Sequence, residues 1–127
     1  MARILVIEDE APIRNNLLRF VRLEGHEAIE AADGIAGLLA AQQQSPDLIF
    51  CDVQMPRLNG LDVLGALQAD PVLKKIPFVF LSASAEAEKL EEALRLGACG
   101  YVTKPFNFAQ LQAVLQQHLL QDNGDKA

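Results

Sequence analysis

The chain has 127 residues, a length that suits one domain. Half of those residues are hydrophobic and 22% are charged, which excludes a disordered chain. The 17 acidic residues outnumber the 11 basic ones, giving a formal charge of −6, and only 6% are aromatic, with no Trp. That balance disfavours a phosphate-backbone interface and a stacking platform for single strands, so no direct nucleic-acid contact is expected. No segment approaches the ~18 apolar residues of a membrane span. The run Ile4 to Ile7 stops at Glu8-Asp9-Glu10, short of the roughly 7–15 residues of a signal-peptide core. Cys51 and Cys99 lack CxxC spacing and read as reduced core thiols. The expectation is a cytoplasmic protein without membrane contact.

In chain order, strand and helix patterns alternate five times. Ile4 to Ile7 is a β-branched apolar run, the first strand. Pro12 suits a helix start, and Ile13, Leu17, Phe20 and Val21 recur at helical spacing until Gly25. His26 to Ala31 is a weaker strand. Asp33 caps a second helix carrying Ile35, Leu38 and Leu39, which Ser45-Pro46 breaks. Leu48 to Cys51 is a fully apolar strand. Asn59 caps a third helix with Leu61, Leu64 and Leu67, ending near Asp70-Pro71. Phe78 to Leu81 is the fourth strand, and Leu90, Ala93 and Leu94 mark a fourth helix before Gly97. Tyr101-Val102 is a short fifth strand, followed by a helix with Phe108, Leu111, Val114, Leu115 and Leu119 on one side. Residues 1–120 make one domain, and the polar stretch 121–127 reads as a disordered tail or the start of a linker.

Continuous apolar strands are what burial on both faces requires, and helix-containing connections permit parallel pairing. The fold class is therefore α/β, a three-layer sandwich around a five-stranded parallel sheet. Ligands of such sheets bind beyond the carboxyl ends of the strands. Glu8-Asp9 follow the first strand, Asp52 the third, Ser82 the fourth and Lys104 the fifth. Each alone has an ordinary reading as a helix cap or a solvated side chain; their coincidence at four strand ends does not. Two unit charges 4 Å apart repel by roughly 4 kcal/mol at an effective dielectric of 20. Three gathered carboxylates stay ionised only beside cations. An oxygen-only donor set favours a hard ion, Mg²⁺ first. With Lys104 and the Ser82 hydroxyl, the cluster complements a phosphoryl group.

These segments resemble the receiver domain of two-component response regulators over about residues 3–120. The resemblance rests on Ile4 to Glu10, Asp52-Val53-Gln54-Met55-Pro56 with Asn59-Gly60, Leu81-Ser82-Ala83, and Gly97-Ala98 through Tyr101 to Lys104-Pro105-Phe106. It implies a flavodoxin-like strand order 2-1-3-4-5 and a cis Lys104-Pro105 peptide. It also implies that Asp52 accepts a phosphoryl group from a sensor histidine kinase or phosphotransfer protein. Asp9, Asp52 and the backbone carbonyl of Gln54 would hold Mg²⁺, with Glu8 acting through a bridging water. Lys104 and Ser82 would meet phosphoryl oxygens. Ser82 and Tyr101 would switch the surface of helix four, strand five and helix five toward an effector protein or a fused output domain. Gln54 and Ser84 would flank the site and tune its lifetime. The chain would be a signalling phosphoacceptor rather than an enzyme.

Three positions depart from the commoner pattern. Cys99-Gly100 stand where winged-helix regulators carry an Asp pair, Ala113-Val114 where they carry a basic residue, and Ser82 where Thr is commoner. The first two remove charges from the dimer face typical of those regulators. Two other classes compete. A Mg²⁺-dependent phosphohydrolase of the haloacid-dehalogenase type needs an acid two residues after its nucleophile, and position 54 is Gln. A flavodoxin-like cofactor protein needs a hydroxyl- and glycine-rich first loop, whereas Glu8-Asp9-Glu10 would repel a flavin phosphate.

Overall fold

A computed structural model describes the backbone of residues 1–83 and 87–126 and the side chains of residues 1–83 and 91–119. The strands are β1 (Arg3–Ile7), β2 (Glu27–Ala31), β3 (Leu48–Asp52), β4 (Phe78–Ser82) and β5 (Gly100–Thr103). The helices are α1 (Ala11–Leu23), α2 (Gly34–Gln44), α3 (Gly60–Gln68), α4 (Ala87–Arg95) and α5 (Phe108–Lys126), with a 3₁₀ turn at Leu73–Lys75. All pairings are parallel and the order is β2-β1-β3-β4-β5, as the resemblance implies. No helix among the described residues is long and apolar enough to cross a membrane.

Strand alternation divides the interior in two. Leu5, Ile7, Ile49, Cys51, Phe78 and Phe80 meet α2, α3 and α4 on one face of the sheet. Ile4, Val6, Leu48, Phe50, Val79 and Leu81 meet α1 and α5 on the other. Every residue of β3 and β4 is buried, which explains their unbroken apolar runs. Phe20 of α1 extends the second core outward, its ring 5.0 Å from and tilted 56° against the half-exposed Phe108 of α5.

The helix starts follow from capping. Asp33 Oδ1 accepts the Ala36 N–H at 2.8 Å and opens α2. Asn59 and Asp62 form a reciprocal pair at the start of α3, with distances of 2.9 and 3.2 Å. The face of α2 is only partly the one its apolar residues suggest. Leu38 packs against the core, but Ile35 and Leu39 are exposed, and Gly34, Gly37, Ala40 and Ala41 are buried beside Leu38. A Cβ on Gly37 would collide with Ile7 Cδ1, so the helix lies close enough to the sheet that only small residues fit beneath it. At the other end of the chain, α5 continues to Lys126, through most of the stretch expected as a tail.

The register brings the strand ends level. Asp52 pairs with Leu81, and Ser82 with Thr103, while Ile7 pairs with both Ala31 and Cys51. Glu8, Asp52, Ser82 and Lys104 therefore leave the sheet along one edge.

Candidate functional site

Each side chain of the site is aimed by backbone bonds at that edge. The Glu8 N–H donates to the Ala31 carbonyl at 3.1 Å, which extends the β1–β2 pairing by one residue. The Val53 N–H donates to Leu81 O at 3.0 Å, and the Lys104 N–H to Ser82 O at 2.7 Å, doing the same for β3 and β5. Lys104-Pro105 is cis, as the resemblance implies. Gly60 presses on the loop after β3: its N–H donates to Val53 O at 2.9 Å, and a Cβ there would strike the Asp52 carbonyl oxygen. The Asn59-Gly60 pair therefore caps α3 and also lets that helix sit against the strand end.

One ammonium joins two carboxylates. Lys104 Nζ stands 2.7 Å from Glu8 Oε1 and 3.1 Å from Asp52 Oδ2. All three groups are largely withdrawn from water, with side-chain exposures of 15% for Lys104, 0% for Glu8 and 8% for Asp52. The Asp52 carboxylate also accepts the Gln54 N–H at 3.2 Å, and Glu8 Oε2 accepts the Glu10 N–H at 3.2 Å. Lys104 is the sole partner of the fully buried Glu8 Oε1 among the described residues, so that oxygen depends on the ammonium.

The charges pull on one another. Burial pushes the Glu8 carboxyl up to about 7, with Asp52 adding to the rise and Lys104 opposing it. Burial lowers the Lys104 ammonium, but the two carboxylates outweigh it and hold the group above its ordinary value. Asp9, the most exposed of the three acids, completes the cluster: one carboxylate oxygen from each of Glu8, Asp9 and Asp52 lies within 4.8 Å of the others. Three mutually close carboxylate oxygens fit a hard divalent cation, which would take up the repulsion that Lys104 only partly offsets.

Ser82 is buried beside this cluster and Tyr101 is half-buried on the α3–α4 side. Both line a cavity of about 580 Å³ with Gln54, Met55, Phe80 and Ala93. The sequence-derived candidates Glu8, Asp9, Asp52, Ser82 and Lys104 are thus at one edge, with Tyr101 and Gln54 on the adjoining cavity. Ser84 lies outside the described residues. Arg14 was not among the candidates, yet its Nη1 donates to the Glu8 carbonyl at 2.8 Å. Its sequence signal is faint, since an arginine in the first turns of a helix normally reads as solvated. Cys51 is fully buried and Cys99 partly so, and burial pushes both thiols up, in keeping with packing roles.

Comparison with known proteins adds three kinds of likeness. The chain is 37% identical over 110 residues to the transcriptional regulatory protein PdtaR of Mycobacterium tuberculosis, covering 86% of this chain and 52% of that protein. It is 33% identical over 118 residues to the phosphate regulon regulator PhoB of Pseudomonas aeruginosa, covering 90% and 52%. The chain thus spans about half the length of these relatives. Its fold superimposes on the chemotaxis protein CheY4 of Vibrio cholerae with a TM-score of 0.88 at 33% identity, covering 93% of this chain and 98% of that one. The receiver domain of the Pseudomonas aeruginosa sensor histidine kinase PA1611, described with magnesium in its active-site cleft, matches with a TM-score of 0.81 at 30% identity, covering 92% and 96%. The family model for the response regulator receiver domain matches residues 4–116, and with the strand order and the acid cluster on the same edge, the chain belongs to that family of two-component systems.

Proposed function

We propose that the chain is a phosphoacceptor whose Asp52 takes a phosphoryl group from a phosphohistidine on a sensor histidine kinase or phosphotransfer protein. In this reading Asp52 Oδ attacks phosphorus, the N–P bond breaks toward the imidazole, and an acyl phosphate forms on Asp52. Asp9, Asp52 and the Gln54 carbonyl, with Glu8 behind them, would hold Mg²⁺, which would supply charge neutralisation for the phosphoryl group. The chain's own groups do the rest. Lys104, now shared between Glu8 and Asp52, turns its ammonium toward a phosphoryl oxygen, and the Ser82 hydroxyl donates to another.

The observation that carries this reading is the shared ammonium. A buried lysine bridging two carboxylates beside a third leaves an excess of negative charge that a divalent cation balances, and with that cation in place the ammonium can turn to an anionic phosphoryl group. Phosphorylation adds about 1.5–2 negative charges beside Ser82. Ser82 and Tyr101 line one cavity, so a movement of either changes the room left to the other, and the surface of α4, β5 and α5 is the output face. The partner there is an effector protein or a fused output domain. The setting is cytoplasmic, any nucleic-acid contact belongs to another module, and the chain is a signalling component that assists its own phosphotransfer rather than an enzyme acting on an external substrate.

The test is labelling with a small acyl phosphate in Mg²⁺. The wild-type chain should gain one base- and hydroxylamine-labile phosphoryl group by mass spectrometry, and Asp52→Asn should gain none. Full labelling of Asp52→Asn would remove Asp52 from the role.

A further inference from the structure

Asp9 presents a carboxylate to the cluster, yet no hydrogen bond among the described residues holds that carboxylate. Its direction must be set by the backbone that carries it. That backbone is clamped at the preceding residue. The Glu8 N–H is tied to Ala31 O of β2 at 3.1 Å, and the Glu8 carbonyl, which belongs to the same peptide as the Asp9 nitrogen, accepts Arg14 Nη1 at 2.8 Å. Arg14 is itself fixed at three points. Its N–H donates to Glu10 O at 2.9 Å, the first turn of α1. Its Nε reaches Glu30 Oε2 of β2 at 3.3 Å, so one guanidinium spans from α1 to two strands. The Arg14 side chain is only 16% exposed, against 59% for Glu30, so the guanidinium lies under the loop rather than in solvent.

We infer that Arg14 is a positioning residue for divalent-cation binding: it fixes the Glu8–Asp9 peptide plane and so the direction of the Asp9 carboxylate. The inference rests on the cation-binding reading above. A planar, always-charged fork suits this task, because two of its nitrogens engage two acceptors at once and neither contact is lost to deprotonation. Groups that orient metal ligands without touching the metal typically change affinity by 10–100-fold when removed.

Simple electrostatics makes the opposite prediction, which gives the test its sign. Arg14 is a cation close to a cation site, so by relief of Coulomb repulsion alone its removal would tighten Mg²⁺ binding. Positioning requires that removal weaken it. The experiment is a calorimetric Mg²⁺ titration of the full chain as wild type, Arg14→Ala, Arg14→Lys and Arg19→Ala. Arg19 is exposed on the same helix and serves as the control for lost charge. The expected result is about tenfold weaker binding for Arg14→Ala. Arg14→Lys, which keeps the charge but cannot span Glu8 and Glu30 together, should weaken it by about threefold. Arg19→Ala should bind as tightly as wild type or slightly tighter. Labelling by acyl phosphate should show the same order at limiting Mg²⁺ and converge at saturating Mg²⁺, a split that a general loss of stability would not produce. Arg14→Ala binding as tightly as wild type overturns the inference. Should Arg14→Ala not fold, Arg14→Lys at wild-type affinity overturns it. A wild-type chain without saturable Mg²⁺ binding would instead overturn the cation-binding reading itself.

Discussion

The two ends of the sheet carry similar charges to opposite effect. At the amino end, Arg3 and Glu27 are register partners on β1 and β2, and their charges lie 3.7 Å apart with side chains 53% and 44% exposed. At the carboxyl end, Lys104 and Glu8 lie 2.7 Å apart and are nearly withdrawn from water. An exposed pair costs little to form and contributes little. A buried pair is held against a desolvation penalty, and losing one partner strands the other. The carboxyl end therefore holds charges that depend on one another, and the amino end holds charges that water can satisfy separately. The largest break in this contrast should come from Lys104→Met, which leaves Glu8 and Asp52 facing each other. Loss of one partner of a buried pair costs roughly 3–5 kcal/mol. We expect about 2–3 kcal/mol in urea unfolding at pH 8, because Asp9 keeps one side of the cluster wet and Glu8 can partly relieve the repulsion by binding a proton. The loss should shrink with added Mg²⁺, and an equal loss with and without Mg²⁺ would contradict the account.

The next effect is the pH dependence of the metal-free chain. Glu8 ionises near its ordinary 4.5 when unfolded and near 7 when folded, chiefly because it is buried. Between those values the native state holds more protons than the unfolded one. Stability contributed by Glu8 is thus full below 4.5 and is lost as pH rises through 7. Each unit of displacement is worth about 1.36 kcal/mol, so the slope amounts to a few kcal/mol at most. Glu8→Gln should flatten it, and the wild-type slope should also flatten in saturating Mg²⁺. Denaturant midpoints measured from pH 4.5 to 7.5 decide the matter: a Glu8→Gln slope as steep as wild type would assign it to other groups.

Much of this was legible in the sequence, for reasons that differ by residue. Asp52, Ser82 and Lys104 each follow an apolar run, so a parallel sheet alone sends them to one edge. Asp33 and Asn59 were legible as caps because their chemistry is local. The buried face of α2 was legible only at Leu38, because the rest depends on how closely Gly34 and Gly37 let the helix approach, while Ile35 and Leu39 suggest the reverse. Nor could Glu8-Asp9-Glu10 reveal which acid is fully buried; that follows from the β1 alternation and the Ala31 bond that carries the strand one residue further. Arg14 was the least legible, since its two acceptors, a main-chain carbonyl and Glu30, are separated from it in different directions along the chain.

The smallest expected effect tests the other half of the contrast. Glu27→Gln removes the charge opposite Arg3 without disturbing the bonds that hold Arg3 otherwise, which run from its Nη1 to Gln44 O at 2.9 Å and from its N–H to Asp47 Oδ2 at 2.8 Å. Glutamine keeps the shape and the half-exposed position at the edge strand. An exposed pair of this kind contributes about 0.2–1 kcal/mol, and at 3.7 Å this one belongs near the lower end. Ionic strength separates the two ends further. The Debye length shrinks to about 3 Å at 1 M salt, which is shorter than the Arg3–Glu27 separation and acts on charges already in water. The Lys104–Glu8 pair is screened much less because water and ions scarcely reach it. Unfolding of Glu27→Gln and wild type should therefore converge in 1 M salt, while the Lys104→Met deficit persists there; a Glu27→Gln deficit above 1 kcal/mol that survives in salt would mean that the amino end, too, holds a structural charge pair.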